Sequence, residues 1–392
     1  MDLVTEATRD IQERIFPFWA GLLDEKHGGF IGKVNFDLKR KETAHKGVIL
    51  NSRILYFFSE YARTFQDPKA VLCAQQAYRF MSECCFDPVK GGLYWSLDYQ
   101  GNVFDSTKHG YNQAFGIYAL SSYYALSQDR EALTKALGLY RLLETTYRAK
   151  DAPHYYQEAM DRDFQPLAND KLSENGVSAS RTMNTALHLL EAYTALARVS
   201  EDGEVKHSLE DLLRLFRDKI YNPRQNRLEV FFDPAYHSLL DLDSYGHDIE
   251  AAWLLSEATA FTDDISLKQE IAAISEALVL HVMKEGYRPP FVVKEKEKGR
   301  TDGARVWWVQ AEAINGLLSL YGESQNEELK KEAEAIYQGI EDYFHDKRDG
   351  GCWYWDLNAH NLPRSKKCIV EPWKCPYHNG RMCLEIIKSL SV

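Results

Sequence analysis

Long hydrophobic runs are missing from this 392-residue chain. No stretch approaches the roughly 18 consecutive apolar residues that a membrane-spanning helix needs. The N-terminus reads MDLVTEATRDIQERIF, in which charged residues interrupt the apolar ones. A secretory signal instead has an uninterrupted apolar core behind a short basic segment. We therefore expect neither a membrane-spanning helix nor a secretory leader.

An excess of positive charge and the cysteine spacing of a disulfide framework are also absent. The chain has 47 Lys and Arg against 58 Asp and Glu, a net charge of −11, which disfavours nucleic acids and anionic membranes as partners. Its seven cysteines, including the adjacent Cys84 and Cys85, follow no framework spacing. Reduced thiols in a cytoplasmic protein are the expected state. We also expect a monomer.

The short motifs that hold nucleotides or zinc are missing as well. No GxGxxG follows a predicted strand, and the motifs GxxxxGK[ST], HExxH and paired CxxC do not occur. Aromatic residues, in contrast, make up 12% of the chain, with 8 Trp and 23 Tyr. Aromatic faces suit sugar rings, although excess aromatics more often fill cores.

A repeat of about 63 residues organises the chain. The segments DEKHGGFIG, DPVKGGLYWSLDYQG and DKRDGGCWYWDLN begin at Asp24, Asp87 and Asp346. The first two start 63 residues apart, and the third follows about four repeat lengths later. Weaker copies begin near residues 152, 221 and 286. Glycines suit a turn and alternating aromatics suit a short strand, so each copy predicts a small hairpin.

Each copy precedes a helical pattern that is apolar nearly all round, which is typical of a buried helix. These patterns span 51–64, 111–127, 183–200, 247–262, 306–321 and 378–390. Amphipathic patterns alternate with them at 68–85, 130–148, 207–220, 267–283 and 326–346, with one more near the N-terminus. The alternation predicts an all-α fold, an (α/α)6 barrel of six inner and six outer helices with short β-hairpins at one rim.

One alternative to closure is an open α-solenoid, which also stacks helix pairs. The number of repeats and the lack of capping asymmetry favour the closed barrel. Because no linker or low-complexity segment divides the chain, we predict a single catalytic domain spanning residues 1–392.

The N-terminal ends of the predicted inner helices carry polar, ionisable or Trp residues. In helix order these are Asn51 and Arg53; Lys108, Tyr111 and Asn112; Asn184 and His188; His247 and Glu250; Trp307, Trp308 and Glu312; Trp373, His378 and Arg381. In a closed barrel the helix ends on one rim surround a common space, so these side chains predict a shared polar pocket.

The segment HDIE, at His247–Glu250, allows three interpretations, because residues three apart share one helix face. The pair could be half of a metal site completed by His188 or His378, since histidine and carboxylate are good zinc ligands. It could be a satisfied pair in the core. We favour acid–base chemistry, because a histidine in the first helical turn is held neutral by the helix dipole and can accept a proton.

Other residues at these helix ends suit a sugar pocket, although a structural role is an alternative for each. His378 can face His247 across a closed ring. Arg53, a charge on an apolar helix, must either face the pocket or pair with a carboxylate such as Glu174 or Glu250. Trp308 and Trp373 are candidate stacking surfaces or core residues.

Five segments carry a resemblance to a known family. KGVILNSRILYFF, LSENGVSASRTMNTALHLLEAY, SYGHDIEAAWLL, RVWWVQAEA and EPWKCPYHNGRMCLEI resemble the cellobiose 2-epimerase family within the N-acylglucosamine 2-epimerase superfamily. The likeness runs from about residue 10 to the C-terminus. It implies an (α/α)6 barrel that needs no metal and no cofactor, and a reaction that inverts C2 of the reducing-end glucose in β-1,4-linked disaccharides such as cellobiose, lactose or mannobiose.

The resemblance also implies roles for individual residues. His247 and His378 would be the acid/base pair, and His188 would assist ring opening or hold O1. The residues that would bind the sugar are Arg53, Tyr111, Asn184, Glu250, Trp308, Glu312, Trp373 and Arg381. Asn51 stands where some relatives have histidine, which leaves its role open.

Three other functions compete with epimerisation. An inverting glycoside hydrolase needs two carboxylates flanking the bond, for which Asp105, Asp161, Glu174 and Glu312 are available. An aldose–ketose isomerase shares the enediolate but returns the proton to C1. A sugar-binding protein without catalysis would have no need of the histidines.

Overall fold

The computed structural model describes residues 1–149, 155–172 and 175–391. Six inner helices are α3 Val48–Phe65, α5 Gly110–Ser127, α7 Met183–Val199, α9 Tyr245–Ala258, α11 Trp307–Ser324 and α13 Tyr377–Leu390. The outer helices are α1 Leu3–Asp10 with α2 Phe16–Ala20, α4 Pro68–Phe80, α6 Arg130–Leu142, α8 Gly203–Leu215, α10 Ile265–Glu285 and α12 Glu327–Gly339. Predicted and observed boundaries of the inner helices differ by a few residues.

The inner helices form a closed ring. Each packs against the next in chain order, and α13 returns to pack against α3. The outer helices cover the joints, as α4 does on α3 and α5, and α1 covers α13. Since the ring closes, the predicted (α/α)6 barrel is confirmed and the open solenoid is excluded.

The turns from inner to outer helices explain the sharp boundaries. Gln66, Gln128 and Gln325 end three inner helices in the left-handed conformation, with φ of 52°, 58° and 56°. The next residue is Asp or Asn, and its side chain caps the following helix by accepting a backbone N–H, as Asp67 does for α4. Such caps satisfy amide groups that the first helical turn leaves without partners.

Four outer helices end in a single π-helical turn, and a fifth such turn joins α1 to α2, which the sequence patterns did not predict. The turns are Met81–Cys85, Leu143–Tyr147, Phe216–Ile220 and Ile340–Phe344, with Ile11–Ile15 between α1 and α2. Most π-helical turns occur singly within or beside α-helices. After each of the four terminal turns the chain enters the hairpin segment that leads to the next inner helix.

Short strands form the rim at the N-terminal ends of the inner helices. They are β1 Lys46–Gly47, β2 Ser96–Leu97, β3 Val103–Asp105, β4 Lys108–His109, β5 Ala159–Met160, β6 Pro166–Leu167, β7 Arg181–Thr182, β8 Tyr221–Asn222, β9 Arg227–Leu228, β10 Phe231–Phe232, β11 Leu242–Asp243, β12 Tyr287–Arg288, β13 Phe291–Val292, β14 Glu295–Glu297, β15 Arg300–Asp302, β16 Arg305–Val306 and β17 Asp356–Leu357.

The strands also close into a circle. The strand before one inner helix pairs antiparallel with a strand of the next repeat, as in β1–β2, β4–β5, β7–β10, β11–β14 and β16–β17. The last repeat returns to the first through the bridge between Val34 and Val370, whose backbone N–H and C=O groups meet at 3.0 Å. The hairpin rim is therefore tied together by backbone hydrogen bonds.

Several polar residues at the inner helix ends hold these hairpins in place. Asn51 Oδ1 accepts the Phe30 N–H at 3.3 Å, and Gln113 Oε1 accepts the Leu93 N–H at 2.7 Å. Asn51 Nδ2 also donates to the Gly47 carbonyl at 3.0 Å. Burial of such amides requires hydrogen bonds of this kind. Asn51 is therefore a structural residue, which resolves its open role.

Two further expectations concern the whole chain. Among the described residues, no helix combines the length and apolar character that crossing a bilayer requires. All seven cysteines lie within the described residues and all are free thiols, five of them buried.

Candidate active site

A pocket opens at the hairpin rim, enclosed by the N-terminal ends of the inner helices. Its volume is about 280 Å³, close to the lower end for small-molecule sites. Nine residues predicted for the site line it, namely Arg53, Tyr111, Asn184, His188, His247, Glu250, Trp308, Trp373 and His378. The predicted shared polar pocket therefore exists, and the remaining two predicted residues, Glu312 and Arg381, lie behind its wall.

His247 and His378 both line this pocket, next to one tryptophan. The Trp308 ring lies with its centroid 4.9 Å from that of His247 and 5.4 Å from that of His378. The two histidines come from α9 and α13, two positions apart in the inner ring. Both histidine rings therefore border the same space.

His378 is held by a buried carboxylate. Its Nδ1 lies 2.6 Å from Glu312 Oε1. Against the effect of burial, Arg381 and His378 hold the pKa of Glu312 below its usual value, so this oxygen can only accept. The hydrogen must therefore sit on Nδ1, which leaves Nε2 with a free lone pair. Burial lowers the pKa of His378 to about 3, and the neutral ring is ready to act as a base.

His247 has a weaker partner. Its Nδ1 lies 2.7 Å from the Ser244 hydroxyl, and burial lowers its pKa to about 3. Although Glu250 is three residues away, it faces Arg381 and His378. Glu250 is therefore not the group that orients His247. The two histidines differ, because a carboxylate stabilises an imidazolium and a hydroxyl does so much less.

His188 also has a carboxylate behind it. Its Nδ1 lies 2.8 Å from Glu191 Oε2, one helical turn later on α7. Burial lowers the pKa of His188, while Glu191 opposes that shift. Its ring packs edge-on against Tyr111, with centroids 5.0 Å apart. His188 thus lines the pocket beside the residues that surround Arg53.

Arg53 is a buried cation without a carboxylate partner in the part of the chain that the structure describes. Its Nη2 donates to the Tyr111 hydroxyl at 2.9 Å and its Nη1 approaches Cys375 Sγ at 3.9 Å. Phe115 and Tyr377 pack against the guanidinium. Pairing with Glu250 is excluded, and Glu174 lies outside the described residues. A guanidinium arranged in this way can donate hydrogen bonds to an anionic oxygen of a ligand.

Arg381 does not line the pocket, so its predicted contact with substrate is wrong. Its guanidinium instead binds three buried carboxylates: Nη1 contacts Glu191, and Nη2 contacts Glu250 at 2.7 Å and Glu312 at 2.8 Å. Glu312 is likewise a buried partner of His378 rather than a pocket residue. Both residues form the support on which the pocket groups rest.

The carboxylates of this cluster also bear on the metal hypothesis. Oxygens of Glu250 and Glu312 and a nitrogen of His378 lie within 4.8 Å of one another, close enough to hold an ion. The Arg381 guanidinium already contacts both carboxylates, however, and supplies the positive charge that an ion would bring. Burial and the neighbouring Glu312 raise the pKa of Glu250, which favours a neutral acid at that position.

The hydrolase hypothesis finds little support in the placement of its carboxylates. Asp105 lies 3.4 Å from Lys171, and Asp161 accepts backbone hydrogen bonds of its own turn. Neither lines the pocket, nor does Glu312; Glu174 lies outside the described residues. The described members of this set therefore do not flank a common bond.

Sequence reasoning missed Glu191, Tyr377 and Ser244. The segment HLLE, residues 188–191, has the same spacing as HDIE, residues 247–250, so the signal for Glu191 was present. Tyr377 donates to both oxygens of Glu191, at 2.6 and 2.7 Å. No sequence pattern distinguishes Ser244 from the other serines that precede helices.

Comparison with known proteins agrees with this geometry. The family model described as N-acylglucosamine 2-epimerase matches residues 29–379. The chain is 45% identical to a cellobiose 2-epimerase of Eubacterium cellulosolvens, over 97% of each chain, and 41% identical to one of Ruminococcus albus, over 98% of each. The solved cellobiose 2-epimerase of Bacillus thermoamylovorans B4167 superposes with a TM-score of 0.95 at 41% identity, covering 98% of both chains.

A more distant likeness concerns the fold alone. A solved D-mannose isomerase superposes with a TM-score of 0.83 at 20% identity. The closed helical barrel, the histidine pocket at its rim and the similarity over nearly the full length lead to one conclusion. The chain belongs to the N-acylglucosamine 2-epimerase family, in which the relatives that are 40–45% identical to it are carbohydrate epimerases.

Proposed function

We propose that this enzyme is a cellobiose 2-epimerase, which reversibly inverts C2 of the reducing-end glucose of β-1,4-linked disaccharides. Cellobiose becomes glucosyl-mannose, and lactose becomes epilactose. The observation that carries the proposal is the pair His247 and His378, two neutral bases next to Trp308 in one pocket. The relatives named cellobiose 2-epimerase support the substrate.

The chemistry follows from the residue types. A C2 hydrogen is acidic only beside a carbonyl, so the sugar ring opens first, assisted by His188. One histidine then takes the C2 proton and leaves a cis-enediolate, whose charge Arg53 stabilises. Rotation about C2–C3 presents the other face. The second histidine, after taking up a proton from solvent, delivers it to C2 there, and the first histidine releases the abstracted proton to solvent, so the protons balance over one turnover. Glu312 behind His378 favours the imidazolium that this step requires.

The hairpin side of the pocket provides a place for the second sugar. Trp355 lines it, with Lys367 Nζ 5.0 Å from the ring centroid. Asp356 beside it is buried, and its Oδ1 has no hydrogen-bond partner among the described residues. An aromatic face next to an unpaired carboxylate oxygen suits a sugar ring and its hydroxyls.

Trp355→Ala is expected to raise KM for cellobiose about tenfold, the effect of losing roughly 1–1.5 kcal/mol of aromatic contact. The value of kcat should stay within a factor of about two, since the contact is equal in ground and transition states. Steady-state kinetics measures both. Leu362→Ala, at an exposed position of the same segment, is the control. A lower kcat at unchanged KM would contradict this placement.

Proton NMR of cellobiose in D2O with EDTA-treated enzyme tests the proposal. We expect mannose-type anomeric signals with deuterium at C2, because the abstracted proton exchanges with solvent, and we expect full activity without added metal. Free glucose would indicate hydrolysis, and a ketose would indicate isomerisation. Either product in place of the epimer would overturn the proposal.

We further propose that the enzyme acts as a monomeric single catalytic domain in the cytoplasm. Seven free thiols support a reducing compartment. An aldose–ketose isomerase and an N-acylglucosamine 2-epimerase remain the alternatives on this fold, and the NMR experiment with cellobiose separates the first of them directly.

A further inference from the structure

We propose that Glu191 is a positioning residue that fixes the tautomer of His188, and that Arg381 joins this pair to the His378–Glu312 pair. The part of this inference that concerns turnover rests on the proposed function. Glu191 is 3% exposed and lies on α7. It does not line the pocket, so it acts through His188 rather than on substrate.

The contacts of Glu191 show that its carboxylate acts only as a hydrogen-bond acceptor. Oε2 faces His188 Nδ1 at 2.8 Å, and Oε1 receives Arg381 Nη1. The Tyr377 hydroxyl donates to both oxygens. Against the effect of burial, Arg381 and His188 lower the pKa of Glu191, and an ionised carboxylate can only accept hydrogen bonds. His188 must therefore carry its hydrogen on Nδ1.

This tautomer determines what His188 offers the pocket. With Nδ1–H bound to Glu191, Nε2 keeps its lone pair and can accept a proton from a sugar hydroxyl. The other tautomer would present N–H and could only donate. Ring opening begins with removal of the anomeric hydroxyl proton, so the lone pair on Nε2 is the form that assists it.

Arg381 connects this pair to the second one. The same guanidinium binds Glu312, which lies 2.6 Å from His378 Nδ1. His188 and His378 thus hold equivalent tautomers through two carboxylates that share one cation. Carboxylates behind histidines commonly fix tautomer and orientation in this way.

The substitution Glu191→Gln is expected to reverse the tautomer of His188. Arg381 offers only donors, so the amide oxygen must turn toward Arg381, and the amide NH2 then faces His188 Nδ1. That nitrogen must become the acceptor, which moves the hydrogen to Nε2. We expect kcat for epimerisation to fall about 100-fold, at the lower end for loss of one acid–base group, with KM nearly unchanged.

Long-range 1H–15N correlation spectra of the 15N-histidine-labelled enzyme report the tautomer directly, with a His188→Phe variant to assign the signal. The wild-type enzyme should show Nδ1–H for His188, and Glu191→Gln should show Nε2–H. Glu144→Gln is the matched control, because Glu144 binds the Tyr156 and Tyr193 hydroxyls and Arg148 and does not line the pocket. It should leave kcat and the His188 signal unchanged.

An Nε2–H tautomer in the wild-type enzyme would overturn the inference without any variant, even if Glu191→Gln failed to fold. So would an unchanged tautomer in Glu191→Gln, or an unchanged kcat after the tautomer had reversed. The spectra need no turnover. Failure of the proposed function would instead appear as absence of epimerisation by the wild-type enzyme.

Discussion

Replacing either His247 or His378 by alanine should lower the rate of epimerisation by about 10³-fold, within the range of roughly 10²–10⁴ for losing a proton-transfer group. Each histidine serves one face of C2, and no other described histidine that lines the pocket lies beside Trp308. The fold should persist, because both side chains border a cavity. Steady-state kinetics with cellobiose measures the rate, and thermal denaturation measures the fold.

The two variants should differ in a second measurement, the exchange of the C2 hydrogen in D2O. A variant with one remaining base can still remove the C2 proton from one epimer and return a deuteron to the same face. His247→Ala should therefore deuterate one epimer and His378→Ala the other, with little inversion in either case. Proton NMR of cellobiose and of glucosyl-mannose, incubated separately, distinguishes the four combinations.

His281→Ala is the control for these variants. His281 lies on the outer helix α10, where its Nε2 is 3.3 Å from Asp243, so its loss should leave both epimerisation and exchange intact. Epimerisation at the wild-type rate in both pocket variants would contradict the two-base assignment. Exchange of both epimers by one variant would show that a single base reaches both faces.

The barrel was predictable because its determinants are local and repeated. Around the ring, the apolar pattern of an inner helix such as 111–127 recurs together with the capped turn that follows it. The pattern of one repeat therefore indicates the helix boundaries in the others. The pocket was predictable because closure places the helix N-termini together. The π-helical turns carry no such pattern, and they were not predicted.

Which polar residues support the fold and which line the pocket was harder to predict. Asn51 and Arg53 stand two positions apart on α3, yet one anchors a hairpin and the other lines the pocket. A polar residue at a buried helix end is equally consistent with both uses, since each satisfies its hydrogen bonds. The partners of Arg381 could not be predicted from the sequence either. Its three carboxylates come from three other helices, which only the closed ring brings together.

Arg381→Met is expected to have the largest effect on stability. The side chain is 1% exposed, and its removal leaves the Glu191 and Glu312 carboxylates buried without their shared cation and Glu250 without its hydrogen-bond donor. Breaking a buried ion pair by removing one partner costs about 3–5 kcal/mol. We expect a loss of that order or more in the free energy of unfolding, measured by denaturant titration, and a lower Tm.

The destabilisation should depend on pH with a definite sign. In the wild-type enzyme Arg381 helps to lower the pKa values of Glu191 and Glu312, so this stability is present above their unfolded values and is lost as pH falls through the folded ones. Without Arg381, burial raises the pKa values of these carboxyls. A raised carboxyl pKa destabilises the folded state at high pH and ceases to do so as pH falls. The difference in Tm between wild type and variant should therefore be larger at pH 8 than at pH 5.

Arg198→Met provides the comparison. Arg198 pairs with Glu257 while its side chain is 41% exposed, and exposed pairs of this kind contribute about 1 kcal/mol or less. Its loss should change Tm little and without marked pH dependence. If Arg381→Met were equally mild at pH 8, the three carboxylates would have to be protonated or otherwise paired in the folded enzyme. Arg381 would then not be the cation that holds His188 and His378 in place.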